Sequence, residues 1–347
     1  MAELLNRFNA NKMNYAIIGC GSIGKKRLAG LPAGAKLAVA CDTNPARAGE
    51  LAKLANTGRA VADFNEAVAD PQVDAVIVAT INAALAEVSA AAIRAGKHVI
   101  VEKPAGISVK QIDELIVLAR ERRVCVRVGF NHRYHPAFRQ AREIFESGVM
   151  GDLMFLRARY GHGGRVGYDR EWRADPKLSG GGELIDQGIH LIDLAGWFLG
   201  GFKKIDGHAA TYFWRMPVDD NAFLSLRTAK NQTAWLQVSC TEWKNLFSFE
   251  IYGRHTKLHI EGLGGSYGVE KLYHYQMKPE MGPPDTKLYE FPGPDESWRR
   301  EMIEFEKDIQ LKRKPDAGLR EAKAALKIVE KIYRKGGFNF DSAPPKP

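Results

Sequence analysis

Asp186 and His190 stand four residues apart in the stretch GGELIDQGIHLIDLAGWFLG, and Asp193 follows three residues later. On a helix, side chains four apart share one face. A carboxylate beside an imidazole raises its pKa, orients the ring and offers a route for a proton, which is general acid–base chemistry. Leu184, Ile185, Ile189, Leu191, Ile192, Leu194 and Trp197 recur at helical spacing and would bury the rest of the segment. Gly188 costs a helix interior about 0.5–1 kcal/mol relative to alanine, so it marks a close approach. Asp and His at this spacing can also ligate a metal. Beyond the neighbouring carboxylates there is no clear third ligand, and no metal is expected.

Two further groups carry chemistry. Lys103 lies in Glu102-Lys103-Pro104, and the proline keeps the lysine on extended backbone. A lysine held there can donate to a substrate oxygen. Gly19-Cys20-Gly21-Ser22-Ile23-Gly24 follows an apolar run and opens a helix. In such a turn Gly19 permits the tight bend, Gly21 lets backbone approach a pyrophosphate, and Gly24 lets helix and strand pack closely. The helix start, at Ser22 and Ile23, offers N–H groups to phosphate. Asp42 ends the next apolar run and would accept hydrogen bonds from ribose hydroxyls. Its charge repels a 2′-phosphate, so NAD is expected over NADP, although Arg47 lies close behind.

These groups need elements to hold them. Tyr15–Gly19, Lys36–Asp42, Ala75–Thr80, His98–Glu102 and Val124–Gly129 are short apolar runs. Helical segments such as 84–95 and 108–121 alternate with them. That alternation predicts a parallel sheet covered on both faces. In an open sheet of this kind ligands bind at the carboxyl ends of the strands. Glu102 and Lys103 close one strand there, and Asn131 and Arg133 follow another.

The second half reads differently. Leu153–Tyr160, Ile205–Trp214, Ala222–Arg227, Thr233–Thr241, Phe247–Tyr252 and Lys257–Glu261 alternate polar and apolar residues. Period-two patterning predicts an antiparallel sheet with one covered face, the other apolar enough to pair with a second subunit. Ser297–Lys312 and Gly318–Lys335 are predicted amphipathic helices, and the last residues, DSAPPKP, a disordered tail. Residues 161–176 form a glycine- and aromatic-containing binding loop. Arg157, Arg159, Arg165, Arg170 and Arg173 fall in or just before it, with Tyr168 and Trp172 available to stack on a sugar or base. Arginine favours carboxylate and phosphate, so an anionic substrate is expected.

The chain has 347 residues, of which 45% are hydrophobic, enough for about two domains with real cores. Its four cysteines are scattered without a CxxC pair, which fits a reducing cytoplasm rather than a disulfide framework. The N-terminal residues lack the apolar core of a secretory signal. Residues 75–95 are too polar and alanine-rich for a membrane span. The net charge of +9 permits nucleic-acid binding, but no zinc finger, RNA-binding aromatic motif or Lys/Arg block supports it.

The order GCGSIG, VEKP and GGGELIDQGIHLIDLAGWFLG resembles the glucose–fructose oxidoreductase / inositol dehydrogenase (Gfo/Idh/MocA) family over nearly the whole chain. The resemblance implies an α/β fold. Residues 1–134 would form an N-terminal Rossmann domain, and 135–347 an α+β domain with a mostly antiparallel open sheet that serves in oligomer contacts. It implies hydride transfer between a nicotinamide and a hydroxyl-bearing carbon of a sugar, with a dimer or tetramer as the assembly. Carried over by position, Lys103 matches the lysine that touches substrate and cofactor. His190 matches the general acid/base and Asp186 its aspartate. Cofactor contacts are then expected from Gly19, Gly21, Ser22, Ile23, Gly24, Asp42, Thr80, Asn82, Glu102, Lys103 and Asn131. Substrate contacts are expected from Lys103, Arg133, Arg165, Tyr168, Trp172, Arg173, Asp186 and His190. The family's TPxxxH is Thr80-Ile81-Asn82-Ala83-Ala84-Leu85 here, without its Pro and His. Three other functions remain open: a neutral polyol dehydrogenase, a glycosidase that recycles tightly held NAD, and a non-catalytic NAD sensor.

Overall fold

The computed structural model describes residues 13–56 and 58–338. The first residues and the DSAPPKP tail lie outside them. The described chain divides into two compact units.

The first unit alternates strand and helix: β1 (Asn14–Ile18), α1 (Ser22–Ala29), β2 (Lys36–Cys41), α2 (Pro45–Ala55), β3 (Arg59–Val61), α3 (Phe64–Ala69), β4 (Ala75–Val78), α4 (Asn82–Arg94), β5 (His98–Glu102), α5 (Val109–Arg122) and β6 (Val126–Gly129). All pairings are parallel, in the order β3-β2-β1-β4-β5-β6. The continuous apolar runs are buried on both faces: every residue of β4 is buried, as are Val99, Ile100 and Val101 of β5. Strand β3 was not expected; its three residues, Arg-Ala-Val, are too short and exposed to show a pattern.

The second unit continues with α6 (Pro136–Glu146), β7 (Leu153–Gly161), a short α7 (Pro176–Ser179), α8 (Ile189–Leu199), β8 (Phe202–Ala210), β9 (Asn221–Thr228), β10 (Thr233–Ser239), β11 (Leu246–Gly253), β12 (Thr256–Glu261), β13 (Glu270–Gln276) and β14 (Asp285–Phe291). They form one eight-stranded sheet, β14-β13-β12-β11-β7-β10-β9-β8. Only β7 and β10 pair in parallel; the other pairings are antiparallel. Strands β13 and β14 escaped the sequence reading. In β13, Glu270 and His274 face inward and blur the alternation, and β14 is an exposed edge. Ala158, Leu224, Leu236, Phe249, Leu258 and Leu272 line the covered face.

Two C-terminal helices follow, α9 (Ser297–Gln310) and α10 (Leu319–Lys335). Trp298–Leu319 groups with the first unit, whereas the sequence placed it in the second; Arg320 onward returns to the second. Met302 and Phe305 of α9 complete the core around Tyr15, Ile17 and Leu37.

Candidate active site

In the first unit the glycine-rich turn is shaped as the sequence requires. Gly19 has φ +97°, and a Cβ there would stand 2.3 Å from the Ala79 carbonyl oxygen. A Cβ on Gly24 would stand 2.2 Å from the Gly19 oxygen, while one on Gly21 meets nothing within 4 Å. Packing therefore demands Gly19 and Gly24, and Gly21 borders open space. Gly21 also caps α1 without a side-chain acceptor, so the N–H groups at Ser22 and Ile23 face outward from a helix start. The Asp42 carboxylate accepts from Cys20 N–H at 2.8 Å and from Asn44 N–H at 2.9 Å. This ties the end of β2 to the turn and still leaves lone pairs for ribose hydroxyls. The turn fits a dinucleotide. Thr80 stands next to the Ala79 wall of Gly19, and Asn82 begins α4, buried. Burial and Asp42 push the Cys20 thiol up to about 12, so it is no nucleophile.

Lys103 is half-buried at the carboxyl end of β5, and its peptide to Pro104 is cis. Glu102 departs from expectation. Its carboxylate accepts from Arg27 Nε at 2.6 Å, and Arg27 Nη1 donates to Glu301 at 2.7 Å. Trp298 stacks on the Arg27 guanidinium at 4.7 Å. All three charged groups are buried. The Glu102 side chain thus braces α1, β5 and α9 together rather than meeting a cofactor. Gly129 leaves room for the cluster, since a Cβ there would be 2.6 Å from Arg27 Nη2. Burial, with Glu102 adding to it, raises Glu301 to about 7 despite Arg27.

In the second unit, Leu184–Gly188 is one π-helical turn that runs into α8. Such turns recur at functional sites. Asp186 lies in it and accepts from Arg173 Nε at 2.9 Å. His190 follows in the first turn of α8, almost fully buried. Its ring stacks on His132, centroids 3.8 Å apart and planes at 12°. Phe130 meets it edge-on at 6.2 Å. The close approach at Gly188 is made by the protein itself: a Cβ would be 2.9 Å from Leu184 Cδ1 and 3.3 Å from Val238 Cγ2.

The glycines before this turn are explained by two residues that the sequence did not reveal. Asp219 accepts from Gly182 N–H at 2.9 Å and Leu184 N–H at 2.8 Å. The Tyr333 hydroxyl accepts from Gly182 N–H at 3.1 Å and Ile185 N–H at 3.3 Å. A Cβ on Gly182 would lie 1.9 Å from the backbone carbonyl oxygen of Asp219, and one on Gly181 2.3 Å from the Tyr333 hydroxyl. Together they clamp the start of the turn that carries Asp186. Burial raises Asp219 to about 6.

Residues 131–134 form a 3-10 turn whose side chains grip α8 and its surroundings. Arg133 was expected on substrate. Its Nε and Nη2 instead donate to Asp193 at 2.7 and 2.6 Å, a buried two-point pair that anchors α8. Asn131, expected on cofactor, donates from Nδ2 to Ser297 at 2.9 Å. Asp193 is thereby spent on anchoring the helix.

Three of the five arginines are paired with carboxylates of the protein. Arg165 pairs with Glu171 at 2.5 and 2.7 Å, Arg173 with Asp186, and Arg157 with Glu250 on the open sheet face. Tyr168 is buried against Trp214 and His162, while Trp172 lies under Arg173 at 4.6 Å. His162 was not singled out. Its Nε2 stands 3.6 Å from Glu183, one turn before Asp186. Burial disfavours its cation, yet Glu183 and Asp186 outweigh this and raise its pKa. Among the described residues no cluster of three His, Cys, Asp or Glu could hold a metal, and no helix is long and apolar enough to cross a membrane.

Comparison with known proteins agrees with these two units. Residues 13–130 match the oxidoreductase family with an NAD-binding Rossmann fold, and 138–259 the GFO/IDH/MocA C-terminal domain. Between them the matches cover more than half of the chain. Levoglucosan dehydrogenase of Pseudarthrobacter phenanthrenivorans is 26% identical over 63% of this chain and 59% of its own. A dTDP-3,4-didehydro-2,6-dideoxy-alpha-D-glucose 3-reductase of Actinomadura kijaniata is 33% identical over 56% of this chain and 58% of its own. The chain thus spans under two thirds of the length of each. A solved levoglucosan dehydrogenase, in complex with NADH and levoglucosan, superposes with TM-score 0.83 at 22% identity, over 93% of this chain and 98% of that one. That likeness is one of fold. The chain belongs to the GFO/IDH/MocA oxidoreductase family, and its first unit is that family's NAD-binding Rossmann fold.

Proposed function

We propose that the protein is an NAD-dependent dehydrogenase that oxidises a secondary hydroxyl of a sugar or polyol. The observation that carries this is Asp186 and His190 on a clamped π-turn and helix start, in a chain whose glycine-rich turn fits a dinucleotide. The first unit binds NAD through the open side of Gly21, the N–H groups at Ser22 and Ile23, and Asp42. Bound NAD supplies the hydride acceptor. The Lys103 ammonium donates to the substrate oxygen and favours loss of its proton. A ring nitrogen of His190 takes that proton, and Asp186, fixed by Arg173, holds the histidine's environment electronegative.

The substrate we favour is neutral. An anionic one was expected from the arginines, but Arg157, Arg165 and Arg173 each have a carboxylate partner. The relatives named above include both a levoglucosan dehydrogenase and a dTDP-3,4-didehydro-2,6-dideoxy-alpha-D-glucose 3-reductase. The second unit's open sheet face is proposed as the contact of a homo-oligomer. The test is reduced-nicotinamide absorbance with NAD over free sugars, polyols, sugar acids and nucleotide sugars. Turnover of neutral sugars or polyols is expected. Turnover confined to anionic sugars overturns the substrate class. No turnover in a protein that co-purifies with NAD favours internal recycling of the cofactor.

A further inference from the structure

The stacking of His132 on His190 plays no part in the proton-transfer role assigned to His190 above. The rings are nearly parallel, so neither donates a hydrogen bond to the other. His132 is held on both edges, with Nδ1 3.1 Å from Asn131 Oδ1 and Nε2 3.2 Å from the Tyr160 hydroxyl. Asn131 Nδ2 is spent on Ser297, which leaves its Oδ1 as an acceptor. Nδ1–H therefore donates to Asn131 Oδ1, while the Tyr160 hydroxyl beside Nε2 also hydrogen-bonds Tyr267. This network fixes the His132 ring with its π-face against His190. A neutral ring face attracts a cation, whereas a second imidazolium would repel it.

We infer that His132 is a positioning residue that stabilises the protonated form of His190 through ring stacking. The inference rests on the function proposed above, in which His190 receives the substrate proton. The effect is local. Of the elements packed against α8, β10 has no titratable side chain, and β7 presents Tyr160 on this side, Arg157 and Arg159 being on the open face. The turn before α8 contributes Asp186 with its Arg173 and, at its start, the buried Glu183 beside His162; α8 itself contributes Asp193 with its Arg133, and His135, paired with Glu270, meets the His132 ring edge-on. Tyr134 completes the 3-10 turn. Replacing His132 leaves each of these charges with its partner.

The experiment is a proton titration of the His190 ring by histidine-selective NMR in wild type, His132→Leu and His132→Phe, with His190→Gln to assign the signal. His132→Leu keeps apolar volume and removes the π-face. Its His190 should bind the proton about three- to tenfold more weakly. His132→Phe keeps the face and should titrate like wild type, which also shows that the fold survives substitution. Tyr160→Phe, which removes one hydroxyl partner of His132 and leaves its ring face in place, should weaken proton binding less than His132→Leu. Equal titration in all forms, or tighter proton binding in His132→Leu, would falsify the inference. The acid limb of kcat/KM should move with the NMR value. If the NMR shift appears but no substrate turns over, the stacking stands and the dehydrogenase assignment fails.

Discussion

At the scale of single residues, two carboxylates are held where burial opposes their charge. Asp219 and Glu301 have folded pKa values of about 6 and about 7, above their ordinary values of 3.8 and 4.5. For a group raised in this way the folded state binds the extra proton. Its stabilisation is complete at low pH and is lost as pH rises through the folded pKa. Glu301→Gln replaces the carboxyl with an amide that does not titrate. Its stability relative to wild type should improve by on the order of 1–3 kcal/mol between about pH 4 and about pH 8. Denaturant midpoints across that range check it, and a pH-independent difference refutes it. The site chemistry at this scale was partly legible. Asp186 and His190 were singled out by their spacing and Lys103 by its place before Pro104 at a strand end, but no pattern distinguished Arg133 as an anchor from Arg133 as a ligand. Both uses need the same residue, and only its partner Asp193, sixty positions away, tells them apart.

At the scale of elements, the π-turn and α8 depend on a residue brought from the C-terminal helix. Tyr333→Phe removes one acceptor from two buried N–H groups while keeping the ring. It should cost about 1–3 kcal/mol in unfolding free energy. It should also lower kcat, with NAD affinity unchanged because the cofactor turn lies in the other unit. Titration of NAD beside steady-state rates separates the two, and equal loss of NAD affinity would count against a clamp acting on Asp186 and His190. Gly181 and Gly182 are required by what packs against them. What packs there, Asp219 and Tyr333, is encoded 37 and 151 residues from Gly182 and was invisible in the chain.

At the scale of the whole molecule, the eight-stranded sheet leaves one face outward. Cross-strand register runs Ser225–Trp235–Arg157–Glu250–His259–Tyr273–Leu288 across it, with Phe155 stacked on Tyr252 in the adjoining row. Trp235 is 45% exposed there and Leu288 equally so. Aromatic groups among paired charges suit a wet but specific interface. Wild type should be a stable oligomer by light scattering, and Trp235→Glu should reduce it toward the monomer with the fold intact by circular dichroism. A monomeric wild type at micromolar concentration removes the proposal.

The sequence alone determined the alternation of apolar strands and helices, the glycine turn with its acidic partner, and the acid–imidazole spacing. Each of these is a local pattern set by the period of a helix or strand or by what one Cβ would block. The tertiary structure decided which charged residues are spent on each other. Glu102 went to Arg27, Arg133 to Asp193 and Arg173 to Asp186. It also placed His132 against His190 and moved α9 into the first unit. Burial forces charges and rings to find partners, and those partners are chosen by folding across long separations rather than by neighbours in the chain.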